Sequence, residues 1–214
     1  MAELQAAELV VVRHGETVWN LFGKQQGWLD SELSELGRAQ AEAIADALVG
    51  EQFDALYSSD LGRAMQTAGI IAARLGRDIV PDARLRERRL GIIQGMTMAE
   101  FEQSRPKEYA LFRGGDPDYA IPDGESARQR HQRCVACAAE IAARHAGRTV
   151  LIVAHGGILD SFFRHAMGLD LGAPRCFSLY NASISTFIVA GGQWKLGRWD
   201  DTHHLKRLGT QDDW

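Results

Sequence analysis

Two short apolar runs far apart in the chain end the same way: Val10-Val11-Val12-Arg13-His14-Gly15 and Leu151-Ile152-Val153-Ala154-His155-Gly156. A β-branched run of this length, bounded by glycine, is the pattern of a strand buried on both faces, which occurs almost only in parallel sheets covered by helices on both sides. Residues 9–13 and 149–154 are therefore read as interior parallel strands. The chain between them must supply the covering helices.

It does so by periodicity. Residues 34–49 place Leu36, Ala39, Ala43, Ile44, Ala47 and Leu48 on one helical face, with Ser34 as N-cap and Gly50 as stop. Residues 54–58 form a further short strand. Asp60 then caps a helix whose buried face is Leu61, Ala64, Ala68, Ile71, Ala72 and Leu75, closed by Gly76. Residues 78–81 carry a weaker strand signal. Residues 96–122, rich in glycine, proline and aromatics, read as an irregular insertion over one edge of the sheet. Helices follow over 123–146 and 158–167, and Gly191-Gly192 between runs 185–190 and 193–199 marks a two-residue hairpin. The expected fold is a three-layer α/β/α sandwich, its sheet mostly parallel with antiparallel strands near the C-terminus, in a single domain over residues 1–214.

Composition narrows the function classes. The net charge is -4 and no stretch gathers Lys or Arg into a stripe, which argues against a nucleic-acid partner. The run at 9–12 is far too short for a signal sequence or membrane span, so a cytoplasmic protein with no membrane partner is expected. Three cysteines make no disulfide framework, and Cys134 and Cys137 lack a second pair at zinc spacing, so ordinary helix packing is expected of them. His203-His204 has no carboxylate or cysteine to complete a metal site and reads as a solvated tail. Gly114-Gly115 and Gly156-Gly157 lack the pattern of a nucleotide-phosphate loop or a dinucleotide fingerprint. No metal is expected. Oligomeric state is left open, a homodimer being one option.

Three further features bear on chemistry. In open α/β sheets the ligand crevice lies outside the carboxyl ends of the strands, where His14 and His155 both emerge followed by a glycine. A lone histidine is more often a half-buried hydrogen-bonding residue, and two in the same position tilt the balance toward chemistry. Arg63 falls in the first turn of its helix, where the macrodipole disfavours a cation. A phosphate bound there would remove the conflict, although an exposed arginine in an arginine-rich protein is the plainer alternative. Glu87 stands among Arg84, Arg86, Arg88 and Arg89, and simple ion pairing with them is the plainer alternative to a catalytic role.

With these residues in place, Arg13-His14-Gly15-Glu16-Thr17 resembles the signature of the histidine phosphatase superfamily, which includes the cofactor-dependent phosphoglycerate mutases. Asn20, Gln26-Gly27-Trp28, the run Leu33 to Gly37, Ser58-Ser59, Arg63-Ala64, Glu87 with Gly91 and Gly95, and His155-Gly156 follow in the family's order, so the resemblance covers nearly the whole chain. It implies that His14 is a nucleophile forming phosphohistidine. Arg13, Arg63, Asn20 and His155 would surround the transferring phosphoryl group, with Gln26, Gly27 and Gly156 beside the substrate. Glu87 would protonate the leaving alcohol and activate water, which calls for a carboxyl near the pocket, shielded from bulk solvent and raised in pKa. The implied partner is a small-molecule phosphomonoester, with no cofactor. A mutase, the alternative, would use 2,3-bisphosphoglycerate. Gln26 stands where mutases resemble one another in having Ser or Thr, and Arg105 and Arg113 are separated where mutases have an adjacent pair; both departures favour hydrolysis. Against them, Glu87-Arg88, Gly91 and Gln94-Gly95 look partly mutase-like, although Leu90 replaces the usual Tyr. A non-catalytic phospho-ligand module would typically have lost His14 or Glu87.

Overall fold

The computed structural model describes residues 5–208. Its elements run β1 (Ala7–Arg13), α1 (Val18–Leu21), α2 (Glu35–Ala47), β2 (Ala55–Ser58), α3 (Gly62–Leu75), β3 (Ile79–Pro81), α4 (Met98–Ser104), α5 (Pro106–Arg113), α6 (Ala127–Arg144), β4 (Thr149–Ala154), α7 (Gly156–Met167), β5 (Ile184–Ala190) and β6 (Gln193–Asp201). Short 3-10 turns lie at Ala83–Leu85, Gly91–Ile93 and His203–Leu205.

Successive side chains of a strand point to opposite faces, and here both faces are dry. Leu9 and Val11 of β1, with Val150 and Ile152 of β4, pack under Cys134, Ile141, Ile158 and Phe162 of α6 and α7. Val10 and Val12, with Leu151 and Val153, meet Ile44, Ala45, Ala68 and Ile71 of α2 and α3. Each such aliphatic side chain contributes about 1.5–3 kcal/mol on burial, which is why the sheet sits in the middle layer. The strand order is β3-β2-β4-β1-β5-β6, with β2, β3, β4 and β1 parallel and β5 antiparallel to both neighbours. Gly191 and Gly192 form the expected turn between β5 and β6. Among the described residues no helix is long and apolar enough to cross a membrane.

Five local expectations need correction. The buried face of α2 is Gly37, Gln40, Ala41, Ile44 and Ala45, while Leu36, Ala39 and Ala43 are only half-buried and Ala47 is exposed. The helix is turned so that Gln40 Oε1 accepts the Glu16 N–H at 2.9 Å, a hydrogen bond that outweighs a modest gain in aliphatic burial. Asp60 does not cap α3. Its carboxylate takes Nε and Nη2 of Arg86, both at 2.6 Å, and the free N–H groups of Gly62 and Arg63 donate instead to Asp30 at 2.6 and 3.3 Å. Helix α6 starts at Ala127, because residues 121–124 form a turn with Asp123 at φ 59° and Ser126 makes the cap.

The segment 96–122 is not irregular. It contains α4 and α5, separated where Pro106 begins a new helix, and encloses a small core of Leu90, Ile93, Phe101 and Ile121 away from the sheet. Phe112 and Leu90 bring it to the mouth of the cavity described below rather than to a sheet edge. Finally, residues 203–205 are not a solvated tail: Leu205 is 1% exposed within the β1–α2 core, and His204 Nε2 lies 3.0 Å from the Ala182 carbonyl oxygen, although His203 is exposed. Cys134 and Cys137 are buried free thiols, as expected.

Candidate active site

The sheet register builds the site. Arg13 is opposite Ala154 and Ser58 is opposite Val153, so three strands end at one level and release His14, His155 and Ser59 side by side. The His14 N–H bonds back to the Ala154 carbonyl at 3.0 Å, and the two imidazole rings stand 5.2 Å apart. The loop after His14 is held by α2. Ser34 caps α2 and also donates to Glu16 Oε1 at 2.6 Å, while Gly15 and Gly37 let the two backbones cross in contact. The run Leu33 to Gly37 thus serves to fix His14.

His14 Nδ1 lies 2.8 Å from the Gly15 carbonyl oxygen. A carbonyl only accepts, so Nδ1 carries the proton and Nε2 keeps its lone pair, toward which Arg63 Nε points at 3.3 Å. Burial, then the charges of Arg63 and Arg13, hold His14 well below the ordinary histidine pKa, so the ring is neutral. His155 is depressed in the same way by burial, then by Arg63. Its Nε2 meets Ser59 Oγ at 2.8 Å, and its buried Nδ1 has no partner among the described residues.

Arg63 is 1% exposed. It also donates through Nη1 to Leu29 O and Asp30 Oδ1, each at 3.0 Å, and through Nη2 to Gly27 O at 2.9 Å. The conflict with the α3 dipole is therefore relieved in part by a protein carboxylate, Asp30, and one Nη2 hydrogen is left for a ligand. Arg13 Nη1 bonds Leu179 O, its buried Nε has no partner, and burial lowers its pKa to about 10, so it stays charged near neutrality. Asn20 accepts from both Thr17 N and Thr17 Oγ1, which occupies its carbonyl and leaves the Nδ2 donors to the cavity. Gln26 Nε2 also reaches Thr17 Oγ1, at 2.8 Å.

Glu87 is placed by its surroundings. Trp28 Nε1 and Arg133 Nη2 bind its carbonyl at 2.8 and 3.3 Å, and its carboxylate accepts from Arg88 N at 2.7 Å and from Gly157 N, in the first turn of α7, at 2.8 Å. The neighbouring arginines have other partners: Arg84 pairs with Asp82 and Glu140, Arg86 with Asp60, and among the described residues no salt bridge reaches Glu87. The ion-pair explanation for this residue fails. The half-buried carboxylate faces a cavity of about 430 Å³ shared with Arg13, His14, Asn20, Gln26, Gly27, Arg63 and Gly156. Of the residues singled out from sequence, His155 alone stands behind this wall, fully buried against His14.

Six cations face the cavity, Arg13, Lys24, Arg63, Arg88, Arg130 and Arg175, against the carboxylates Glu87 and Asp160. In a protein of net charge -4 that surplus focuses the field on an anionic ligand. Sequence reasoning missed Arg88, Arg130, Asp160, Lys24, Arg175 and Gly157. Gly157 follows Gly156, which the sequence already places beside the substrate, and is the one of these with a visible signal; the arginines carry none in a chain so rich in arginine. Among the described residues no cluster of three or more His, Cys, Asp or Glu could hold a metal ion.

An α/β/α sandwich with this arrangement at its strand ends is the histidine phosphatase fold, and the chain belongs to the histidine phosphatase superfamily (branch 1), whose profile matches residues 9–202. It is 39% identical over 211 residues to phosphoglycerate mutase-like protein 4 of Arabidopsis thaliana, covering 97% of this chain and 90% of that one. The metal-independent phosphoserine phosphatase of the same plant is 36% identical, with 97% and 87% covered. Among solved structures, YhfR of Bacillus stearothermophilus superposes with a TM-score of 0.88 at 33% identity, covering 94% of this chain and all of that one.

Proposed function

We propose that the chain hydrolyses a small-molecule phosphomonoester through a phosphohistidine at His14, without a metal ion. The observation that carries this reading is the state of His14, a neutral ring protonated on Nδ1 whose Nε2 lone pair is held at rest by Arg63 Nε, in the wall of a cationic cavity that also holds Glu87. Nε2 attacks phosphorus as the P–O ester bond breaks, and protonated Glu87 gives its proton to the leaving oxygen. Glu87 then takes a proton from water, whose oxygen attacks phosphorus and displaces Nε2. Arg13, Arg63 and Asn20 line the cavity and stabilise charge on the equatorial oxygens, where catalysis of phosphoryl transfer mostly resides, and His155, buried behind His14 with an unpartnered Nδ1 among the described residues, supports them from the next layer. Gln26, Gly27 and Gly156 line the remaining wall. A cytoplasmic location belongs to the same reading, in accord with three free thiols.

His14→Ala should abolish phosphoenzyme formation from p-nitrophenyl phosphate. Glu87→Gln should still form it, because that leaving group needs no proton, while losing about 10²–10⁴-fold in rate on alkyl phosphates. Turnover should survive EDTA. Equal loss in both variants on the aryl ester, or activity restored to chelated protein by a divalent ion, would overturn the mechanism.

A mutase reading draws on the phosphoglycerate mutase-like relative. Against it, neither Arg105 nor Arg113 lines the cavity. Phosphate release should outpace interconversion of 3- and 2-phosphoglycerate and need no 2,3-bisphosphoglycerate; a strict requirement for that bisphosphate would establish the mutase instead.

A further inference from the structure

Arg130 projects from α6 into the wall of the cavity and is only 9% exposed. Its Nε donates to Ser161 Oγ at 3.1 Å and its Nη2 to Asp160 Oδ2 at 3.1 Å. The other oxygen of Asp160 is already taken by Arg164 Nε at 3.0 Å, and Arg164 is itself buried. One carboxylate thus serves two guanidinium groups, and the triad keeps a positive charge in a poorly solvated place. Such a charge is costly unless a further anion arrives.

The free end of Arg130 shows where that anion would sit. Among the described residues Nη1 has no hydrogen-bond acceptor, and it lies 2.7 Å from the point where a side chain on Gly157 would begin. Glu87 Oε1 lies 2.0 Å from the same point, yet no salt bridge joins the two groups. The bare glycine therefore leaves Nη1 open to the space beside the proposed acid. A second cation faces that space. Arg88 donates Nε to Glu125 O at 2.7 Å and Nη2 to Tyr119 O at 3.0 Å, both neutral acceptors, and rests on the Phe112 ring. Burial, then the charge of Arg130, lowers its pKa to about 10, which leaves it cationic near neutrality.

We propose that Arg130 and Arg88 form a second anion subsite on the Gly157 side of Glu87, and that the preferred substrates are phosphomonoesters whose alcohol carries another anionic group. This rests on the phosphatase reading of the cavity and adds the substrate class to it. The phosphoryl group meets Arg13, Arg63 and the histidines; the second anion meets the forked Nη1 of Arg130. A neutral alkyl or sugar phosphate leaves the triad's charge uncompensated. Arg130 is then a specificity residue, and Asp160 and Arg164 are positioning residues that hold its fork.

The test compares 3-phosphoglycerate with glycerol 3-phosphate, which share a three-carbon skeleton and differ by a carboxylate in place of a hydroxymethyl group. Fructose 1,6-bisphosphate against fructose 6-phosphate asks the same of a second phosphate and so separates the two sources of charge. Wild-type protein should favour at least one of the two esters that bear a second anionic group by about tenfold or more in kcat/KM, the scale of one hydrogen bond to a charged group. Arg130→Gln should erase most of that preference, chiefly through KM, with glycerol 3-phosphate losing much less kcat/KM than the favoured ester; Arg130→Lys should restore part of it. No preference in the wild type, or an equal loss on every substrate, would overturn the proposal. Should no ester be turned over, the phosphatase reading fails separately, and calorimetric binding of the same pairs to wild type and Arg130→Gln decides the subsite by the same criterion. If circular dichroism shows Arg130→Gln unfolded, Arg130→Lys supplies the comparison: a reduced preference supports the subsite, an unchanged one overturns it.

Discussion

A Cβ on Gly37 would stand 1.9 Å from the Glu16 carbonyl oxygen, and one on Gly15 would stand 2.4 Å from the carbonyl oxygen of Gly37. Neither obstacle is a flexible side-chain tip, so Gly37→Ala should force the His14 loop away from α2 and cost about 1–3 kcal/mol, read from the urea midpoint. Gly157→Ala makes a different claim. The atoms in its way belong to Glu87 and Arg130, whose ends can shift, so the variant should stay nearly as stable while activity falls about tenfold or more. A larger loss of stability in Gly157→Ala than in Gly37→Ala would contradict both. At this scale the sequence is informative about chemistry that repeats, such as a histidine after each apolar strand. It is silent on Arg130, because only the folded chain distinguishes an arginine facing a cavity from one facing water.

Helices α6 and α7 meet at a histidine pair, His131 and His165, with ring centres 5.7 Å apart. Burial, then the charges of His165 and Arg130, lowers the His131 pKa from 6.5 to about 4, against the opposing pull of Asp160. Between those two values the unfolded chain binds a proton that the folded one refuses, so stability is highest above the upper value and declines as pH falls through the window. His14 and His155 add to the same decline, so His131→Gln should make it shallower without abolishing it in thermal melts between about pH 7 and 4.5, and an unchanged slope would exclude His131 as a contributor. Periodicity made the major helices legible, since an amphipathic stripe is a property of the element itself. Their exact faces and caps were not. Asp30 lies far from α3 in sequence yet supplies its N-terminal acceptor, and Gln40 faces inward because a loop needs it. The two helices of the insertion escape a periodicity reading because each, at 7 and 8 residues, spans only about two turns, too few for an apolar stripe to stand out.

At the scale of the whole chain, the C-terminal turn closes the core that the first strand opens. Leu205→Ala should cost about 2–4 kcal/mol, as for other fully buried leucines, and a negligible change in urea midpoint would show that residues 203–205 only rest on the surface. The middle layer and its parallel strands were readable from β-branched runs; the return of residues 203–205 was not, since a histidine pair at a chain end looks the same docked or free. The strand order carries one last consequence. β1, which bears His14, lies between β4 and β5, pairing with Thr149–Ala154 on one side and Ile184–Ala190 on the other. During translation at about 5–20 residues per second, this strand leaves the ribosome first and waits on the order of ten to thirty seconds for its neighbours to be made. The nascent chain must therefore carry this apolar strand unpaired until β4 and β5 have been made, and nothing resembling the active site exists before then.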